Sequence, residues 1–460
     1  MRGVIVCAVI IASVGASPLT GVVAATLHGF QVTGSMVEGL YDHTATALND
    51  GRVLVTGGFT SLFSDAWSQQ IEVYDPTTGT FTALSATLDL RRPTATVLHN
   101  GRVLFASGST AELYDPITAS FRRTGDLVSP HAAYTATRLL DGKVLFAGGT
   151  GASAGSGATS ATTTTGTATT GGGGPMITSF AQLYDPATES FRPTGPLTIE
   201  RIGHTATLLL NGKVLVAGGM TRSGPTLTAD LYDPVTETFT PTGNLVSTTI
   251  YQVAIRLRTG DVLLVGGDST AQLYEWRTGS FTAVGSMTAA RGDFSALLLQ
   301  NGNVLVTGGM VNGRSVATAE MYVPSVREFV SAGTMNVERT TQAAATLNDG
   351  RVLISGGISG LCGTSGTGGP PCPTTGSTSG GSTGGTSTTG TTTAGTSTAG
   401  TSTTGTTTTG TTTTGTTTTG TTTTGTTGLP PISTATTQST GAVIESSAEL
   451  YIAEGDSAPR

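Results

Sequence analysis

This chain contains little charge and few of the side chains that usually carry chemistry. Charged residues make up 11% of its 460 residues, and 29 acidic against 22 basic residues give a net charge of −7. That balance argues against nucleic-acid binding, which needs a clustered basic face. The five histidines form no cluster of the kind that copper or zinc would require. A phosphate-binding loop and a His-Glu-x-x-His motif are also missing, so we expect no metal or other cofactor.

The only long apolar run lies at the start of the chain. Arg2 supplies a positive beginning, residues 4–14 an apolar core, and Val23-Ala24-Ala25 a small-residue cleavage site, with Val14-Gly15-Ala16 as a second candidate. A membrane anchor is the alternative, but Gly15, Ser17 and Pro18 interrupt the run before the roughly 20 residues that a span needs. We predict that residues 1–25 are a secretory signal and that the exported chain has no membrane span.

Cysteine is nearly absent, with 3 residues in the whole chain. Cys7 lies within the predicted signal, too near the start for a lipid-attachment cysteine. Cys362 and Cys372 flank a Gly-rich stretch, and an isolated close pair in an exported chain predicts a disulfide. A metal site is the alternative, and it lacks a nearby histidine or a further cysteine.

The sequence does contain a short motif that recurs seven times: a turn glycine, then Val-Leu, then a glycine pair. Its copies occupy residues 51–58, 101–108, 142–149, 212–219, 260–267, 302–309 and 350–357, and the second copy has Ser107-Gly108 in place of the pair. A tyrosine follows each copy, at Tyr74, Tyr114, Tyr184, Tyr232, Tyr274, Tyr322 and Tyr451. Self-similarity at this spacing indicates stacked supersecondary units.

One unit is predicted to contain four short strands. In the fourth copy these are residues 204–210, 214–217, 229–233 and 238–240, which we name strands a, b, c and d. Asn211-Gly212 is typical of the tight turn between two hairpin strands, and Asp233 begins the turn between strands c and d. Four strands in about 41 to 50 residues match one blade of a β-propeller.

In its order of strands and glycines the unit resembles the kelch repeat, over residues 30–451. It departs from many kelch repeats in strand d, where tryptophan is replaced by Phe81, Phe121, Phe191, Phe239, Phe281 and Phe329. The last unit lacks strand d, but residues 30–36 copy residues 281–287. We therefore predict an all-β fold, a seven-bladed propeller of four-stranded blades, whose last blade is closed by the N-terminal strand. This leaves no free sheet edge.

Residues 26–460 are predicted to form this single domain, with low-complexity insertions at about 150–178 and 358–441. These insertions, like most length variation, fall in the b–c connections. We expect the Thr-rich second insertion to be disordered, as a tolerated product of repeat slippage or as an O-glycosylated spacer. The b–c and d–a connections share one face of the disc, and a variable face on a rigid scaffold is the expected binding face.

Candidate ligand-binding residues stand just before strand a on that face. They are Arg201, Arg291, Arg339 and His131, with the neighbouring acids Glu200 and Glu338. Arginine can grip carboxylates or hydroxyl groups, so these side chains could ring the mouth of the central channel. The alternative is structural, because many kelch repeats have an arginine here that pairs locally.

The leading functional hypothesis is an exported, monomeric, non-catalytic scaffold that binds a protein or a carbohydrate on the b–c/d–a face. The alternative is a sugar-active enzyme, an epimerase, lyase or oxidase, with its site at the channel mouth. Its candidate acid, base and binding groups are Tyr41, His131, Glu200, Arg201 and Glu338. A structural surface protein is the third possibility. A galactose-oxidase-like copper site is disfavoured, because no cysteine of the exported chain lies within the predicted strands and no histidine pair accompanies paired tyrosines.

Overall fold

Seven antiparallel sheets, each built on strands a to d, form a seven-bladed β-propeller. The structure is a computed structural model that describes residues 29–129, 131–151, 176–248, 252–361 and 442–453. In every blade, strand a pairs with b, b with c, and c with d. Strand a of each blade contacts strand a of the next, so these strands form the innermost ring. The predicted all-β propeller is confirmed.

The strands are short, and their bounds repeat from blade to blade. Strands a are Thr44–Ala47, Thr94–Val97, Thr135–Arg138, Thr205–Leu208, Val253–Arg256, Ser295–Leu298 and Ala343–Thr346. Strands b are Val53–Thr56, Val103–Ser107, Val144–Ala147, Val214–Ala217, Val262–Val265, Val304–Thr307 and Val352–Ser355. Strands c are Gln70–Asp75, Thr110–Asp115, Ala181–Asp185, Ala229–Asp233, Ala271–Glu275, Arg314–Val323 and Ala448–Ile452. Strands d are Thr80–Thr87, Ser120–Arg123, Ser190–Pro193, Thr238–Pro241, Ser280–Val284, Glu328–Arg339 and, in blade 7, Gly29–Val32.

Two-residue strands extend several d–a and b–c connections. They are His131–Ala132, Thr150–Gly151, Met176–Ile177, Met220–Thr221, Gly224–Pro225, Met310–Val311, Ile358–Ser359 and Val443–Ile444. Within the described ranges, the chain forms no helix with the length and apolar character that crossing a membrane requires. The predicted signal, the Cys362–Cys372 pair and most of the two insertions lie outside the described residues.

The N-terminal strand closes the ring. Gly29–Val32 pairs antiparallel with Ala448–Ile452, so that Phe30 stands opposite Tyr451, with their ring centroids 4.9 Å apart. The backbone N–H of Met36 then donates to the carbonyl of Ser446 at 2.8 Å. Each blade therefore has four strands, and the first and last parts of the described chain share one sheet.

The apolar strand b explains how the blades stack. All four residues of Val214–Ala217 are buried, because both faces of strand b pack against neighbouring sheets. The core clusters accordingly join consecutive blades, as where Leu104 and Leu113 of blade 2 meet Phe146 and Tyr184 of blade 3. Burial of these side chains on both sides of each sheet is the main force that holds the disc together.

In four blades the recurrent tyrosine fastens the blade to the connection before it. The Tyr232 hydroxyl and the Thr194 hydroxyl form a hydrogen bond of 2.8 Å, and blades 1, 3 and 5 repeat it with Tyr74, Tyr184 and Tyr274. Gly195 follows the threonine, and its N–H donates to the carbonyl of Glu237 at 3.1 Å. A β-carbon at Gly195 would lie 2.4 Å from that carbonyl oxygen, so only glycine allows this approach.

Candidate functional site

The three arginines predicted to face a ligand are buried inside their own blades. Arg201, Arg291 and Arg339 are 0%, 1% and 0% exposed. In blade 7, Nη1 of Arg339 donates to the carbonyls of Gly356 at 2.8 Å and Ser447 at 3.0 Å, and Nη2 donates to Oε1 of Glu449 at 3.1 Å. Arg201 and Arg291 repeat this arrangement with Asp230 and Glu320.

The expectation that these arginines line an exposed concave site is therefore wrong. The glycine pair that ends strand b bends the chain and directs a carbonyl toward the guanidinium, and strand c supplies a carboxylate. The planar guanidinium of arginine donates hydrogen bonds to the carbonyl and to the carboxylate at once. Its positive charge is therefore paired within the blade. A side chain without accessible surface has no face to offer a ligand.

The other predicted site residues also make local contacts. Oε1 of Glu338 accepts hydrogen bonds from Ser315 Oγ at 3.2 Å and from the N–H of Gly360 at 3.1 Å. Glu200 lies 3.9 Å from Nε of Arg222 in an exposed pair. Of His131, only the backbone lies within the described part of the chain, and it pairs with Gly151. Each of these contacts is local, so they do not join the six predicted residues into one site.

Blade 1 lacks the arginine and leaves its strand-c carboxylate without a cation. Leu40 stands where blades 4, 6 and 7 have arginine, and Glu72 is 1% exposed. The Glu72 carboxylate accepts the N–H groups of Val37 at 2.9 Å and Glu38 at 3.2 Å. Burial raises the pKa of Glu72, although these two hydrogen bonds partly oppose the rise.

We expect Glu72→Gln to make the stability of the protein less sensitive to pH. Because the folded-state pKa of Glu72 is raised, its contribution to stability is full below the ordinary glutamate pKa and is lost as pH rises through the folded value. The melting temperature of the variant relative to the wild type should therefore be higher at pH 7 than at pH 4. Gln182 and Gln272, at the same place in blades 3 and 5, show that glutamine fits. An equal difference at both pH values would contradict this account of Glu72.

A ring of left-handed residues lies where the d–a connections enter the innermost strands. The residue two positions before strand a has a positive φ in each of the six blades where this position is described: Asp42 57°, Arg92 48°, Ala133 54°, Gly203 63°, Asp293 51° and Thr341 56°. We call these residues the inner rim. Glycine adopts this conformation at no steric cost, and blade 4 uses it. The other five blades place a side chain there, and Thr341, a β-branched residue, is a clear outlier. Such strain tends to gather at functional sites.

Backbone hydrogen bonds join the inner rim across three blades. The N–H of Thr341 donates to the carbonyl of Asp293 at 3.0 Å, and the N–H of Asp42 donates to the carbonyl of Thr341 at 3.0 Å. Blades 6, 7 and 1 are thereby held in register at the channel mouth. The two aspartates flank Thr341, so the closed ring brings together residues that are far apart in sequence.

The inner rim also has unusual electrostatics. Asp42 pairs with Arg92 at 2.9 Å, and their side chains are 46% and 53% exposed. Both can be reached by solvent, and the surrounding chain removes only part of the water around Asp42. This desolvation raises the pKa of Asp42, Arg92 lowers it, and the negative charge of Asp293 raises it further. Desolvation also raises the pKa of Asp293, and no cation among the described residues pairs with it.

An aromatic platform, formed by Tyr41, Phe59 and Trp67, adjoins the inner rim. The rings of Tyr41 and Phe59 stack with centroids 5.4 Å apart, and the Arg92 guanidinium lies 4.7 Å from the centroid of Phe59. The Arg91 guanidinium lies 5.8 Å from the Trp67 ring and pairs with Asp65 at 2.9 Å. Burial raises the pKa of Tyr41. Arginine over aromatic faces gives a flat, ordered surface beside Asp42.

The sequence analysis named Tyr41 as a candidate but missed Asp42 and the link between blades 1 and 6 through Thr341. The sequence signal for the inner rim is the position two residues before strand a, where blade 4 has glycine and blades 1, 2 and 6 have a charged residue. A site formed by one position of a repeat is visible only when that position is compared across all blades.

Comparison with known proteins identifies a shared fold. No family model matches the sequence, and a search of curated proteins returned no match. A solved structure of a fungal alcohol oxidase of the AA5 family, in complex with copper, is similar to this chain with a TM-score of 0.57. It is 18% identical, and the match covers 74% of each chain. At this identity the likeness establishes a shared propeller fold and not the neighbour's chemistry.

The expectation of a non-catalytic scaffold is overturned by this comparison. The neighbour with the same fold is a copper-containing enzyme, which favours the enzyme alternative over the binding scaffold and over the prediction that the chain is not an enzyme.

The described residues do not fit a copper centre of their own. No group of three or more His, Cys, Asp and Glu side chains among them could hold a metal ion. His43 and His204 are buried between blades, where Nε2 bonds to Ser355 Oγ at 3.0 Å and to Thr135 Oγ1 at 3.1 Å. Burial lowers the pKa of His43 to about 4 and that of His204 to about 3, so both are neutral packing residues.

Proposed function

We propose that this protein is a sugar-active enzyme that transfers protons at the channel mouth, of the epimerase or lyase class. The observation that carries the proposal is the pair Asp42 and Asp293, two carboxylates with raised pKa values on the inner rim, of which Asp42 is paired with Arg92. Carboxyl groups with perturbed pKa values cluster at sites of acid–base chemistry. The fold neighbour, named an alcohol oxidase, makes a hydroxyl-bearing substrate a reasonable class.

Asp293 is suited to act as the base. Without a paired cation, and with its pKa raised by desolvation, its carboxylate binds a proton more strongly than an ordinary aspartate. It would remove a proton from a sugar carbon next to a carbonyl or carboxylate group. The electron pair of the broken C–H bond moves toward that group's oxygen, where the positive charge of Arg92 stabilises it.

Asp42 positions Arg92 and completes the reaction. Its 2.9 Å ion pair fixes the guanidinium on the rim, and its raised pKa lets it bind a proton more readily than a free aspartate does. Return of the proton to the opposite face of the carbon gives an epimer. Loss of a neighbouring leaving group, with a proton supplied by the rim, gives an unsaturated sugar.

An oxidase is less well supported than these two classes. Oxidation of an alcohol needs an electron acceptor, and the described residues bring together no donor set for the copper of the fold neighbour. The kelch-type repeat assignment and export through the segment 1–25 are part of the proposal, and both rest on the sequence pattern.

The test is conversion of defined sugars by the purified full-length exported chain. Galacturonate, glucuronate, their oligomers, and reducing hexoses and pentoses are incubated separately, and ¹H NMR follows the appearance of epimer or alkene signals. We expect one of these classes to be converted. No conversion of any class, or conversion only by copper-dependent oxidation of a sugar alcohol, would show that the proposal is wrong.

A further inference from the structure

We infer that the aromatic platform is a substrate-binding subsite that stacks one pyranose ring of an oligosaccharide, so that the adjoining sugar reaches Asp42 and Asp293. The inference rests on the proposed function for its choice of sugar, and it adds the chain length and the place of the substrate. Its basis is the exposure, the rigidity and the position of Trp67.

Trp67 presents accessible surface on the variable face. It is 39% exposed, and Phe63 in the same b–c connection is 93% exposed. The other tryptophan, Trp276, directly follows strand c and lies in a c–d turn on the opposite face, where its Nε1 donates to the carbonyl of Thr259 at 3.2 Å. Trp67 is therefore the tryptophan on the same face as the inner rim.

Backbone pairing holds the platform in place. Tyr41 and Phe59 exchange hydrogen bonds of 3.2 and 2.9 Å, and Phe59 in turn bridges to Trp67. The N–H of Ser68 donates to the carbonyl of Gly58 at 2.9 Å, and Ser68 Oγ donates to Glu38 at 2.6 Å. A loop fastened at these points loses little further freedom when a ligand binds, which favours affinity.

Trp67 is the exposed ring of the platform, whereas Phe59 is 3% exposed and is not open to a ligand. The b–c connection of blade 2 consists of Gly108 and Ser109 alone, so this neighbouring connection is too short to cover Trp67. Arg92 contacts the ring of Phe59 and pairs with Asp42, so one side chain touches both the platform and the acid–base pair.

A pyranose ring fits this chemistry better than a wholly apolar ligand. One face of the sugar carries C–H groups, which pack on the electron-rich face of an aromatic ring, while its edge carries hydroxyl groups. Around Trp67 the edge would meet Arg91 and Asp65, which pair at 2.9 Å and offer both donors and acceptors. An apolar ligand would strip water from these charges without replacing the lost hydrogen bonds.

The test uses Trp67 as its own reporter. The chain has 2 tryptophans, so Trp276→Phe leaves Trp67 as the only source of indole emission. This variant is titrated with hexamers of galacturonate, glucose and N-acetylglucosamine. We expect a saturable change in emission with one hexamer and a much weaker response to the matching monosaccharide.

Calorimetry on Trp67→Ala should show binding of that hexamer weakened about 10- to 100-fold, the size expected for loss of one stacked ring. Ile117→Ala is the control, because Ile117 is 92% exposed in the c–d turn on the opposite face, and it should leave the affinity unchanged.

The outcomes separate the two claims. If no hexamer changes the emission of Trp67, or if Trp67→Ala binds as tightly as the wild type, the platform is not a subsite, even where conversion is observed. If a hexamer binds through Trp67 but no sugar is converted, the subsite stands and the acid–base proposal fails.

Discussion

Replacing Arg339 with glutamine is expected to lower the free energy of unfolding by about 3 to 5 kcal/mol, the usual effect of breaking a buried ion pair. The guanidinium is 0% exposed and satisfies two carbonyls as well as Glu449. Without it, the Glu449 carboxylate stays buried with hydrogen bonds from Asn336 and Val337 but no opposite charge. Urea unfolding followed by intrinsic fluorescence measures the loss.

Arg222→Gln is the matched control for this prediction. Arg222 is 54% exposed and lies 3.9 Å from Glu200, so its removal should cost no more than about 1 kcal/mol. Similar stabilities for the Arg339 and Arg222 variants would mean that the buried arginines do not hold the blades together.

Replacing Asp293 with asparagine is expected to lower kcat/KM on the converted sugar by about 10²- to 10⁴-fold, the usual contribution of a positioned base. Stability should hardly change, because Asn has nearly the same shape and also tolerates the left-handed conformation that Asp293 adopts at φ 51°. The fall should appear in kcat with little change in KM, because the carboxylate acts on the proton rather than on the bound ring.

Asp126→Asn is the control for Asp293, since Asp126 is 64% exposed in a surface pair with Arg123. It should retain wild-type kinetics. If the Asp293 variant is as active as this control, the base is elsewhere, and the inner rim is a structural feature of the ring.

Much of the fold could be predicted from the sequence, because each blade repeats the same local signals. The turn glycine, the apolar strand b and the tyrosine of strand c occur in every unit, so a weak signal in one copy is supported by six others. Ring closure was also predictable, since the segment that begins at Phe30 copies the one that begins at Phe281 and the last unit lacks strand d. The structure pairs Phe30 with Tyr451 as that copy requires.

The environment of the arginines could not be predicted from their own position in the repeat. An arginine before strand a can face solvent or turn inward, and the choice depends on which carbonyls the glycine pair exposes. The position that pairs with the arginine lies in strand c, 29 residues after the arginine in blades 4 and 6 and 110 residues after it in blade 7. Blades with arginine have Asp230, Glu320 or Glu449 there, and blades 3 and 5 have Gln182 and Gln272, but blades 1 and 2 have Glu72 and Glu112 without an arginine.

The acid–base pair depends on the tertiary structure even more strongly. Asp42 and Asp293 are separated by most of the repeats, and each looks like an ordinary turn residue beside its own strand. Only the backbone bonds through Thr341 place them on one rim. Partial desolvation of these two exposed carboxyl groups raises their pKa values, and it depends on tertiary structure that no single segment of sequence encodes.

The most direct test of the central claim is the exchange of the substrate C–H proton with solvent deuterium. Wild type and Asp293→Asn are compared in D₂O, on the sugar that the wild type converts, at concentrations where calorimetric titration shows both to be saturated. Our account predicts that the wild type places deuterium on the carbon next to the carbonyl or carboxylate group where the product is an epimer, and loses that carbon's proton to solvent where the product is an unsaturated sugar. The variant should bind the sugar but carry out either step at least about 100-fold more slowly. Equal rates for the two proteins, or an epimer formed without deuterium at that carbon, would contradict it.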